Sequence, residues 1–296
     1  MQALWMVLAS FLFATMGVCV KLASSDFNSA EIVFWRGVIG ILFMGAYARS
    51  RGIPLSTTVP WMHAWRSLIG VASLSAWFYA LTKLPLATAM TLNYMSSVWI
   101  AAFLVGGALI YRQAEKQGTL VMTVLAGFAG VVLILRPTIE QDQMFAGLIG
   151  LLSGLGAALA YMQVMALSRI GEPEARVVFY FALGTIVAGG MAMAVTGIST
   201  IEHYTDWRTV LWLLPVGILA SVGQLCMTRA YASGATLVVA NLQYSGIVFA
   251  AIYSLALFGD QIPWQGWLGI ALIVVSGVTA TVLRSRAAPD APAEEH

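Results

Sequence analysis

Residues 80–103 read ALTKLPLATAMTLNYMSSVWIAAF, and 150 positions later residues 230–253 read AYASGATLVVANLQYSGIVFAAIY. In that register Ala80 meets Ala230, Leu92 meets Leu242, Tyr94 meets Tyr244, Val98 meets Val248 and Ala101 meets Ala251. Alanine and leucine coincide easily in apolar sequence. The tyrosine pair says more, because a hydroxyl half-way along an apolar run needs a polar neighbour. Each stretch also follows almost directly on another apolar run, with only Pro85 and Gly234 marking the junctions. The chain therefore reads as one plan used twice.

The rest of the sequence says which solvent that plan is written for. Of 296 residues 60% are hydrophobic and only 9% charged, with a mean hydropathy of +0.85. A soluble domain carries roughly 25% charge, so this chain cannot cover a water-facing surface, and it is equally unsuited to disorder. A helix crossing the hydrocarbon core needs about 20 mostly apolar residues. Ten such segments can be drawn: 2–22, 30–49, 61–82, 86–108, 118–135, 144–168, 175–197, 208–231, 235–258 and 265–283. The ten-residue alternation of an outer-membrane barrel is missing from the pattern. Met1 to Val20 has no Lys or Arg ahead of its apolar run, which reads as a retained span rather than a cleaved leader.

Lys and Arg concentrate in cytoplasmic loops. Ten of the fifteen (Arg49, Arg51, Arg66, Arg112, Lys116, Arg169, Arg176, Arg229, Arg284 and Arg286) fall on one side of a ten-span chain. Lys21, Arg36, Lys83, Arg136 and Arg208 fall on the other. Both termini are expected in the cytoplasm. Because each half holds an odd number of spans, the second enters the membrane from the opposite side. The expected fold class is all-α: a polytopic membrane protein of ten transmembrane helices in two inverted five-helix repeats. The first repeat is expected over 1–141, the second over 142–284, and a disordered cytoplasmic tail over 285–296. Inverted repeats of this kind meet around a midplane site and can exchange two asymmetric states.

Several function classes fall away. A net charge of +2 without basic clusters gives no nucleic-acid footprint. The two cysteines, Cys19 and Cys226, lie inside apolar runs, and His63, His203 and His296 are far apart. No metal or other cofactor is expected. An intramembrane enzyme would need a base or metal beside Ser73, Ser75 or Ser96, and no His or acid stands at that depth. No soluble domain is attached to deliver a signal, which disfavours a sensor or scaffold.

Particular runs resemble a known family. Glu31-Ile-Val-Phe-Trp-Arg36 opens the second span, and Ala80 to Ala89 forms the hairpin. Leu242-Gln-Tyr is followed by Val248-Phe-Ala-Ala-Ile, and the run from Leu257 to Gly277 is the most specific. These stretches resemble the drug/metabolite transporter superfamily, in particular its EamA-type ten-span members, over all but the tail. Asp260 stands where the family usually carries Glu, the first half lacks an acidic counterpart near Tyr111–Gln113, and a proline common after Asn93 is missing. Within the family the chain looks most similar to YddG-like exporters. That resemblance implies export of amino acids, aromatic ones included, across the bacterial inner membrane. The alternative it leaves is export of drugs or other small metabolites, cationic or nucleobase-like. The expected partners are a small-molecule substrate and the lipid bilayer.

Most spans lack a charge in their middle third, so a passage lined by amides, hydroxyls and rings is expected, suited to neutral or zwitterionic solutes. Thr88, Thr91, Tyr94, Met95 and Val98 share one face of an ideal fourth helix, and Asn241, Tyr244, Ser245 and Val248 the equivalent face of the ninth. Asn241 and Tyr244 lead the candidates for substrate hydrogen bonds, followed by Gln224 and Tyr161, with Thr91, Tyr94 and Ser245 beside them. Trp77, Tyr79 and Trp99 could supply aromatic walls. A mid-span Asn or Gln also glues helices together, and both readings stand for Asn241 and Gln224. Arg36, about six residues below the surface, is either an anchoring residue or part of a gate or carboxylate site. The Gly-rich stretches 147–150, 154–156 and 189–190 read as small-residue helix packing.

Overall fold

The structure is a computed structural model that describes residues 2–96, 98–100, 103, 122, 125–126, 129–130, 133, 143–199, 207–233 and 242–287. Most of the expected fifth span, the end of the tail and Asn241 lie outside the described residues. Among the described residues there are eight long or mid-length helices and one shorter one: α1 Gln2–Ala23, α2 Ser29–Ser50, α3 Pro60–Lys83, α4 Leu86–Asn93, α5 Met144–Arg169, α6 Glu174–Thr196, α7 Leu213–Ser233, α8 Ser245–Phe258 and α9 Trp264–Ala287. A single helical turn, Trp207–Val210, precedes α7. Among the described residues five helical stretches are long and apolar enough to cross a membrane: Leu4–Ala23, Ser29–Ser50, Met144–Arg169, Glu174–Thr196 and Leu213–Ala232. The last helix runs to Ala287, three residues into the expected tail.

Local chemistry sets the ends. Asn28 caps α2 by accepting from the Glu31 backbone N–H, while the Glu31 carboxylate accepts from that of Asn28, a capping box. Pro60 opens α3, where its missing N–H would have had no helical partner. The chain leaves α8 at Gly259 in the left-handed region, φ 63°, a conformation that favours glycine.

Tertiary packing interrupts two of the expected spans. The fourth is not one continuous helix: α4 ends at Asn93, Tyr94 and Met95 form a turn, and helix resumes over 98–100. The ninth has the same interruption at Gln243 and Tyr244 before α8 begins at Ser245. No proline is needed, because α5 holds the first break. Asn93 Nδ2 donates to Ser153 Oγ at 3.1 Å, and Ser73 Oγ donates to the Ser153 carbonyl at 2.7 Å. The backbone of α5 comes so close that a Cβ on Gly154 would sit 2.5 Å from the Leu92 carbonyl oxygen and 3.0 Å from that of Asn93. The Gly-rich stretches thus act as expected, as sites of close helix approach. Gly189 likewise admits the Phe34 backbone, 2.7 Å from where a Cβ would stand.

The helices pack in a regular set of partners. α2 lies along α6, α3 along α5, α1 along α7, and α4 against α8, with α1 also touching α8 and α4 touching α5. The two breaks face each other: the Tyr94 ring fills the space in front of Gly246, 2.5 Å from where its Cβ would be.

Candidate functional site

Inside this bundle, at the level of the first break, lies a cavity of about 50 Å³. Seven helices or helix ends contribute: Phe13 and Met16 from α1, Arg36 from α2, Arg66, Ser73 and Trp77 from α3, Asn93 and Tyr94 at the end of α4, Ala157 and Tyr161 from α5, Phe181 from α6, and Gln224 and Met227 from α7. That volume holds a few water molecules. An organic solute enters only if the helices part.

Two guanidinium groups occupy the site, which corrects the expectation of an uncharged lining. Arg36 and Arg66 are buried, 4% and 2% exposed, and both lie over the ring of Phe181, with Cζ 5.1 Å and 4.2 Å from its centroid. The ring's negative face offsets part of their charge. Arg66 folds back along its own helix into the space that the missing side chain of Gly70 leaves; a Cβ there would overlap the guanidinium. Its Nη2 donates to Gln224 Oε1 at 3.4 Å. Arg66 Nε and Nη1, Arg36 Nε, Trp77 Nε1 and the Tyr94 hydroxyl find no hydrogen-bond partner.

Of the ten site residues expected from sequence, four line the cavity: Trp77, Tyr94, Tyr161 and Gln224. Tyr161 is held by Gln243, whose Nε2 donates to its hydroxyl at 3.0 Å, while Tyr231 donates to Gln243 Oε1 at 3.4 Å. Five sit elsewhere. Thr91 turns its hydroxyl back to the Ala87 carbonyl at 2.7 Å, and Ser245 does the same to Leu242 at 2.6 Å. Tyr79 packs edge-on against Phe145, and Trp99 packs on the apolar core in which Tyr244 is buried. Trp99, Tyr244 and Ser245 lie at or after the breaks and so lose the register of a continuous helix, whereas Tyr79 stands on the unbroken α3 and Thr91 before the first break. Asn241 lies outside the described residues. Of the residues the sequence reading missed, Arg66 was counted as a loop charge because it stands only six residues past Pro60, and Phe181 and Asn93 gave no signal. Arg36 carried the one usable signal, a charge below the surface.

The two ends of the bundle carry their own polar clusters. At one end Lys21 Nζ lies 3.4 Å from Asp260 Oδ2 and donates to the Leu84 carbonyl, and Ser254 Oγ donates to Asp260. There too the Glu31 carboxylate accepts from the backbone N–H and hydroxyl of Ser199, so its first role is to tie α2 to the segment after α6. At the other end Glu172 accepts from Thr57 and Arg176, each at 2.8 Å, with His63 Nε2 3.5 Å away, and Arg176 donates to the Pro54 carbonyl. Burial pushes the Glu172 carboxyl up, but the Thr57 hydroxyl, Arg176 and His63 outweigh it and leave it below its ordinary value.

An all-helical bundle with broken spans around a small polar cavity is the architecture of a multi-pass membrane carrier of small molecules. The chain belongs to the EamA-like transporter family, which matches residues 1–136 and again 145–282. It is 30% identical over 276 residues to the pseudopaline exporter CntI of Pseudomonas aeruginosa, covering 93% of this chain and 92% of that one. It is 28% identical over 275 residues to a riboflavin transporter of Rhizobium johnstonii, covering 92% and 88%. A solved crystal structure with 18% sequence identity superposes with a TM-score of 0.68 over 97% of this chain and 98% of the other, which establishes the shared fold. The protein is a small-molecule transporter of the drug/metabolite superfamily and not an enzyme.

Proposed function

We propose that this chain exports amino acids and related small metabolites across the bacterial inner membrane, by alternating access of two inverted five-helix units, 1–141 and 142–284, around the central cavity. The observation that carries the reading is the pair of matched helix breaks, at Asn93–Met95 and Gln243–Ser245, of which the first lines that cavity and the second holds its Tyr161 through Gln243. Broken spans in corresponding positions of two halves are where carriers of this type bind solute. The packing supports the repeat as well. Exchanging the halves turns α1 on α7 into α5 on α3, and α1 on α8 into α5 on α4, while α2 with α6 and α4 with α8 exchange within their pairs. The amino-acid class rests on the likeness to YddG-like exporters, and the export direction is also that of the pseudopaline exporter among the relatives. The cationic-drug alternative is disfavoured by the two arginines in the cavity, since a cation would meet like charge there.

The test is flux from proteoliposomes loaded with a panel of labelled amino acids, N-acylated amino acids and small organic acids. Saturable efflux of at least one, lost in Trp77→Ala and Gln224→Ala with the protein still folded, is the expected result. No efflux across the panel sinks the substrate class. Cysteine labelling that finds the two termini on opposite sides of the membrane sinks the ten-span inverted arrangement.

A further inference from the structure

Every carboxylate among the described residues is engaged away from the cavity. Glu31 is held by Asn28 and Ser199, Glu172 by Thr57 and Arg176, and Glu174 lies 3.7 Å from Arg229. Asp260 is held by Lys21 and Ser254, and Asp26 by Ser25. Arg36 and Arg66 therefore share one buried cavity, against one phenyl ring, with no described acid to balance them. An unpaired charge at membrane depth is expensive and marks a functional site. The unpartnered polar atoms around this cavity are almost all N–H donors, from Arg36, Arg66 and Trp77. These unpartnered donors and the two positive charges leave room for a further acceptor that carries negative charge.

Taking the transporter reading as given, we infer that the transported solute is a carboxylate-bearing anion with an apolar body, and that Arg36 and Arg66 receive its carboxylate. A guanidinium matches a carboxylate with two parallel N–H donors. Gln224 holds the Arg66 fork from behind, and Gly70 leaves the room in which that fork lies. The rings of Phe13, Trp77 and Phe181, with Met16 and Met227, give the apolar body its surface. No described acid faces the cavity to balance an ammonium group, so a net anion, such as an acidic or N-acylated amino acid, is preferred over a zwitterion, and a zwitterion over a cation.

The test is calorimetric titration of the purified full-length protein in nanodiscs with four probes of one ring size: 3-phenylpropionate, phenylalanine, phenylalaninamide and phenyl phosphate. The expected order is 3-phenylpropionate tightest, phenylalanine weaker, and phenylalaninamide at least about tenfold weaker than the acid, a difference of about 1.4 kcal/mol. Arg66→Gln and Arg36→Gln should each remove most of that preference. Gly70→Ala, which keeps every charge but displaces the Arg66 guanidinium, should weaken the acid more than the amide. If the glutamine variants do not fold, the wild-type ranking and Gly70→Ala decide the matter. An amide that binds as well as the acid, no saturable binding of the acid, or folded glutamine variants that keep the preference would each overturn the inference. Phenyl phosphate binding more tightly than the carboxylate would overturn it in favour of phosphate esters. Flux of solutes without a carboxylate preference sinks this inference and spares the transporter reading. Carboxylate binding without flux of any solute does the reverse.

Discussion

The centre of the bundle and its two ends treat charge in opposite ways. At the ends Lys21 meets Asp260, Arg176 meets Glu172, and Arg229 meets Glu174, each cation facing an acid from another helix, another loop or the next turn. In the centre Arg36 and Arg66 both lie over the ring of Phe181, and the described acids are all elsewhere. Pairing at the ends ties helices together, and water at the rim lowers what each pair is worth. A buried cation is stabilised most by an acid partner, and among the described residues these two have only Gln224 and the Phe181 ring. The contrast separates residues that tie helices together from the two arginines that we assign to a solute.

Four changes would break or sharpen that contrast. The largest effect on transport is expected from Asn93→Asp, which places a carboxyl group of nearly the same shape on the cavity wall that also carries the arginines. Efflux of the preferred anion should fall at least about tenfold, equivalent to about 1.4 kcal/mol of lost binding, while size-exclusion profile and helicity stay unchanged. Wild-type flux from this variant would show that the cavity tolerates a second negative charge.

Next is Glu172→Ala, whose side chain is only 5% exposed and joins the α2–α3 loop, His63 and α6. Removing one member of a buried ion pair costs about 3 kcal/mol, so the thermal midpoint in detergent should drop clearly. The same group sets a pH dependence. Because its folded carboxyl titrates below the ordinary value, its contribution is fully present above the unfolded value of about 4.3 and is lost as pH falls through the lower folded value. The wild-type midpoint should therefore fall in acid, and Glu172→Gln should flatten that fall; an unchanged slope refutes the assignment. The smallest effect is expected from Asp260→Asn. Lys21 and Asp260 are about one-fifth exposed, and such a pair is worth about 1 kcal/mol or less. A loss as large as that of Glu172→Ala would mean that the two ends are not equivalent rims.

Much of this was legible in the sequence. Charge content and the length of the apolar runs determine helices that live in lipid, since no other solvent suits such a chain. The register of Tyr94 on Tyr244 pointed to two corresponding positions, although continuous helices were expected there, and the Gly-rich stretches pointed to close helix approach. Trp77, Tyr94, Tyr161 and Gln224, proposed from sequence, line the cavity, since a polar or amphipathic side chain in mid-span has few places to go. Thr91 and Ser245 misled, because a hydroxyl in an apolar helix can satisfy itself on the preceding turn.

What the sequence by itself determined is therefore the solvent, the helices and the double plan. These depend on composition and on neighbours along the chain. Only the tertiary structure decided the charge of the cavity. Arg66 looks like an interfacial residue when counted from Pro60, and it enters the centre because Gly70 on its own helix leaves room and Gln224 and Phe181, more than a hundred residues away, receive it. Whether a buried charge is paired depends on which distant side chains share its space, and spacing along one chain carries no record of that.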